Sequence, residues 1–205
     1  LFSKNDTVNL LKIINSESSL LTNEIVENLL KEELLCLMLQ KAIIPDKFLE
    51  KLLTQLRYQI LFTLNDTNKN ILDERFNFII SLAEQCWLNE FIYAQSEKEI
   101  NQIIKLKNKI ENDNSINEIE IAILGCYMPL NKSKTIIEKL FNYKSTNILF
   151  NDLINVQIKE PLKEKELAKS IKSLNEIVDS VSKKVQNQYE ENPYPRWRLT
   201  NQIIP

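Results

Sequence analysis

Pro45-Asp46-Lys47-Phe48-Leu49-Glu50-Lys51-Leu52-Leu53-Thr54-Gln55-Leu56-Arg57-Tyr58-Gln59-Ile60-Leu61-Phe62-Thr63-Leu64 decides the fold class. Leu49, Leu52, Leu53, Leu56, Ile60 and Leu64 recur at helical steps, while Glu50, Lys51, Gln55 and Gln59 fall on the other faces. That is the period of an amphipathic α-helix with one apolar stripe; a half-buried strand would alternate at every second residue. Pro45 suits the first turn of this helix, where its missing N–H would have no partner in any case.

The same period recurs along the chain. Phe76, Ile79, Ile80, Ala83, Trp87 and Phe91 form a second stripe, and Leu174, Ile177, Val178, Val181, Val185 and Tyr189 a third near the C-terminus. Three start signals follow the capping-box pattern, in which a serine and a glutamate three residues on satisfy each other's exposed amides: Ser96 with Glu99, Ser115 with Glu118, and Ser173 with Glu176. Together these predict helices near 6–15, 22–40, 46–64, 71–94, 97–111, 116–128, 133–142, 146–155, 162–170 and 174–190, joined by short polar loops. The expected fold is all-α: an irregular multi-helix bundle or helical array over residues 1–172, then a C-terminal helix and an extended proline- and aromatic-rich tail over 173–205. No repeat near 34 residues is visible, and one glycine with five alanines leaves few small residues for the helix crossings of a regular solenoid. The 159–172 segment mixes five lysines with three glutamates around Pro161 and reads as a solvated boundary before the last helix.

Composition narrows the chemistry. Average usage would supply about fourteen glycines in a chain of this length; this one has only Gly125. Phosphate-binding loops and dinucleotide fingerprints need several glycines at short spacing, because the backbone must turn tightly and lie against the ligand. Neither can be built from one. Histidine is absent, which removes imidazole bases, Ser-His-Asp arrangements and histidine metal sites. Cys36, Cys86 and Cys126 form neither a CxxC pair nor an even disulfide framework, so they are expected to be buried, reduced thiols of a cytoplasmic protein. A net charge of −2, with lysines scattered among glutamates, gives no footprint for nucleic acid. The best uncharged run, 121–130, contains Pro129 and falls well short of the ~18 apolar residues of a membrane span. Cys86 has no histidine to activate it, and Glu84 and Glu90 have no carboxylate placed opposite them by sequence. No catalytic and no metal-binding residue is assigned.

The C-terminal run Gln188-Tyr189-Glu190-Glu191-Asn192-Pro193-Tyr194-Pro195-Arg196-Trp197 is different in kind. Pro193 and Pro195 hold the residues before them extended, so the helix should end by Asn192. Tyr189, continuing the stripe from Val185, should lay its ring against the bundle. Arg196 beside Tyr194 and Trp197 offers a stacking surface for a planar ligand or a neighbouring domain.

This motif, preceded by Val181-Ser182-Lys183-Lys184-Val185, resembles the segment just ahead of the catalytic domain in a group of bacterial class I S-adenosylmethionine-dependent methyltransferases, often described as tetratricopeptide-repeat methyltransferases. Three upstream blocks are similar to the helical region of the same group: 49–57 (LEKLLTQLR), 82–91 (LAEQCWLNEF) and 127–130 (YMPL). The resemblance implies an accessory helical region, with the cofactor-binding domain following the motif in the same polypeptide. The chain, opening on Leu1 and closing on Pro205, is accordingly expected to be a fragment. S-adenosylmethionine is implied for the parent polypeptide and not for this chain. Tyr189, Asn192, Tyr194, Arg196 and Trp197 would either contribute to the cofactor cleft of the missing domain or dock the two domains together. The implied partners are that domain and a protein substrate. The alternative is a free-standing helical protein–protein interaction module whose aromatic tail holds its partner.

Overall fold

The computed structural model describes residues 10–12, 14, 20–64, 70–171 and 179–191, without the side chains of residues 70, 190 and 191. Every regular element among the described residues is helical, in agreement with the stripes. The chain divides into two compact units, Leu1–Pro161 and Leu162–Pro205.

In the first unit, α1 (Glu24–Leu30) and α2 (Glu33–Lys41) occupy the stretch where apolar spacing predicts one helix over 22–40. The break at Lys31 and Glu32 contains no glycine or proline. It re-phases the stripe. Continuing from Leu30 by one turn would bury Leu34 and Leu37, yet these are exposed and Leu35 and Leu39 are buried instead. The long stripe after Pro45 becomes α3 (Lys47–Thr63), burying Leu49, Leu52, Leu53, Leu56, Ile60 and Leu61. Its cap is Asp46, whose carboxylate accepts from the Leu49 amide at 2.7 Å, so Pro45 lies one residue ahead of the cap and not in the first turn.

The predicted 71–94 helix is likewise two elements, α4 (Asn70–Glu74) and α5 (Phe76–Leu88). α5 is buried on nearly every face, as the helix at the centre of a bundle must be, and it packs against α2, α7 (Glu118–Gly125) and α9 (Ile148–Ile154). Between them α6 (Glu97–Asn112) opens on the predicted Ser96–Glu99 capping box. α7, in contrast, does not start from Ser115. Asp113 captures that serine's amide and hydroxyl at 2.9 and 3.0 Å, and Asn117 caps the helix through the Glu120 amide.

After a 3-10 turn (Leu130–Lys132) and α8 (Lys134–Leu140), α9 runs without interruption through a π-helical segment (Asn155–Lys159) into α10 (Glu160–Ser170). Proline inside a helix normally removes a hydrogen bond and collides with the preceding turn. Here the wider π turn precedes Pro161, with the Glu160 amide reaching back to the Asn155 carbonyl, and the helix continues past a buried proline. The gap expected between the 146–155 and 162–170 helices is therefore helical.

In the second unit, α11 (Ser180–Glu191) is capped by Asp179, which accepts from the Ser182 amide at 2.7 Å. The Ser173–Glu176 start signal lies outside the described residues. Among the described residues no helix is long and apolar enough to cross a membrane.

Candidate functional site

The buried side of α3 carries one charged residue. Arg57 follows Leu53 by one turn and precedes Ile60 and Leu61, so helical geometry drives it inward, where its side chain is 1 % exposed. A guanidinium without water needs acceptors in its own plane. Nη2 donates to the Ala94 carbonyl at 2.7 Å and to that of Tyr93 at 3.3 Å; Nη1 donates to the Cys126 carbonyl at 3.4 Å. The guanidinium lies 4.3 Å from the centre of the Tyr127 ring and 5.6 Å from that of Tyr93. Glu99 stands 3.9 Å away, an attraction without a hydrogen bond. That carboxylate is itself fixed by the Ser96 amide and hydroxyl and by the Tyr127 hydroxyl at 2.8 Å.

Two of these carbonyls face inward because of the way α5 ends. The Phe91 amide reaches back to the Cys86 carbonyl at 2.8 Å and the Glu90 amide to that of Trp87 at 3.3 Å, the paired bonds of a Schellman cap. This cap wants a left-handed residue, usually glycine; the chain places Glu90 and Phe91 there, both at φ 59°. Gly125, meanwhile, is helical. An added Cβ there would meet the Ala83 Cβ and the Gln157 amide at 3.5 Å, ordinary contact.

Burial sets the protonation of the cluster. Desolvation pushes the Cys86 thiol up to about 12, against the opposing charge of Arg57. Desolvation likewise raises Cys126 well above an ordinary thiol. Tyr93 is raised chiefly by burial, and Tyr127 by burial and then by the negative charge of Glu99. At neutral pH all four are protonated, so none serves as thiolate, phenolate or base. Arg57 is a clamp holding α3, the α5–α6 connection and the end of α7 together.

A second buried polar group braces the C-terminal end of α7. Gln157, on the π segment and fully buried, donates from Nε2 to the Ala83 and Gly125 carbonyls, both at 3.0 Å, and accepts from the Leu130 amide at 3.3 Å.

Among the described residues of the first unit, a groove of about 1240 Å³ opens between one face of α3 (Thr54, Tyr58, Phe62), the N-terminal residues Ile14 and Leu21, and the 94–99 segment. Its apolar lining includes the tilted Tyr58–Phe62 ring pair, centroids 4.6 Å apart. The carboxylate at its inner edge, Glu99, is committed to the clamp.

Of the residues singled out by sequence, Tyr189 lies on α11 and is 63 % exposed, with Val181 and Val185 also exposed. The three residues fall at the expected four-residue spacing on one helix. Asn192, Tyr194, Arg196 and Trp197 lie outside the described residues. All three cysteines are free; Cys86 and Cys126 are buried as expected and Cys36 is partly exposed. Among the described residues no group of three or more His, Cys, Asp or Glu side chains is placed to hold a metal ion. Sequence reasoning missed Arg57, Tyr93, Glu99 and Tyr127 as one cluster. The available signal was the arginine's position inside an otherwise apolar stripe. Comparison of the chain with models of known protein families, with curated proteins and with solved structures finds no match.

Proposed function

We propose that the chain is an accessory helical region of an S-adenosylmethionine-dependent methyltransferase polypeptide, not catalytic by itself, in which α11 and the Pro/aromatic tail lead into the catalytic domain. The observation that carries this reading is the exposed Val181–Val185–Tyr189 stripe, an apolar face on the helix that runs directly into the NPYPRW motif. A helix with three large apolar groups in water gains stability when a partner surface covers them. Further support comes from the clamp. The three upstream blocks of the resemblance are distant in sequence, yet Arg57 of the first lies over the Tyr127 ring of the third, and the helix cap at Phe91, the end of the second, leads directly into the Tyr93 and Ala94 carbonyls that Arg57 binds. The test is the coding sequence beyond Pro205. A glycine-rich strand–loop–helix pattern following the motif supports the proposal; an immediate stop codon or an unrelated downstream sequence overturns it.

A second reading, a free-standing interaction module, draws on the groove beside α3. It requires a natural stop near Pro205 and a protein ligand whose saturable binding is lost on Tyr58→Ala. Binding that survives this substitution removes the groove from consideration.

A further inference from the structure

We draw no further inference here: the strongest candidate, the groove between one face of α3 and the 94–99 segment, is an unpartnered surface with nothing in the structure to show what covers it.

Discussion

Replacing Arg57 with methionine keeps most of the packing of its aliphatic stem while deleting the charge and the donors. Three carbonyls, at 2.7, 3.3 and 3.4 Å, lose their shared donor group, and Glu99 loses its cation at 3.9 Å. Hydrogen bonds to a charged group contribute roughly 1.5–3 kcal/mol each, but the set is cooperative and its sum overstates the whole. Removing one partner of a buried ion pair costs about 3–5 kcal/mol, and that is the magnitude expected. One effect opposes it: the Nε of Arg57 has no hydrogen-bond partner, so methionine also removes a buried unsatisfied donor. Urea unfolding, followed by far-ultraviolet circular dichroism and by tryptophan fluorescence, measures the difference. With a slope of about 2 kcal/mol per molar urea, the midpoint falls by roughly 1.5–2.5 M. Arg57→Lys, which keeps the charge but not the planar fork, should fall between the two. A double-mutant cycle with Glu99→Gln should return a coupling of roughly 1–3 kcal/mol. If Arg57→Met lies within about 1 kcal/mol of the unaltered chain, the clamp is not what holds α3 to the α5–α6 connection.

Other substitutions test the cap and the central brace. Glu90→Gly places the residue the left-handed cap prefers and should stabilise by about 0.5–1 kcal/mol, while Glu90→Val should destabilise by about 1 kcal/mol or more; thermal unfolding midpoints decide. Gly125→Ala should be neutral or stabilising by up to about 1 kcal/mol, because the new methyl finds ordinary contacts in a helix. Gln157→Leu should cost about 2–4 kcal/mol, since it strands the Gly125 carbonyl and the Leu130 amide and removes a second donor from the Ala83 carbonyl; urea midpoints for the pair separate the two outcomes. Stability should also fall steeply in alkali. Cys86, Cys126, Tyr93 and Tyr127 are all raised by burial, so their contribution is complete below the unfolded thiol and phenol values, 9.0 and 10.0. Above those values the unfolded chain releases its protons first, and each group withdraws about 1.4 kcal/mol per pH unit until its folded form ionises. For Cys86 that window closes at about 12. Cys86→Ala should therefore give a shallower decline between pH 9 and 11 in urea midpoints, and an unchanged slope would show that the thiol is not held protonated.

Local signals were legible and non-local ones were not. The Ser96–Glu99 box is visible because both partners lie within one turn, and α3 is visible because its stripe spans four turns. The break between α1 and α2 is invisible because tertiary packing, not a glycine or proline, rotates the buried face from Leu30 to Leu35. At α7, Ser115 and Asn117 are both good caps two residues apart, and the choice falls to Asp113, which binds the serine first. Pro161 predicts a break that the π segment absorbs. Arg57 inside a leucine stripe reads as a long side chain reaching for water. Its acceptors come from residues 36, 37 and 69 positions away, a distance over which sequence periodicity carries no information. The tail residues Asn192, Tyr194, Arg196 and Trp197 rest on motif alone.

Calorimetric titration with S-adenosylmethionine asks whether this helical region by itself binds the cofactor of the proposed parent polypeptide. Under the proposed function the 205-residue chain shows no saturable heat, because its one glycine, set in a helix, cannot build the glycine-rich loop of a dinucleotide-type crevice. Micromolar affinity in this chain would contradict the proposal.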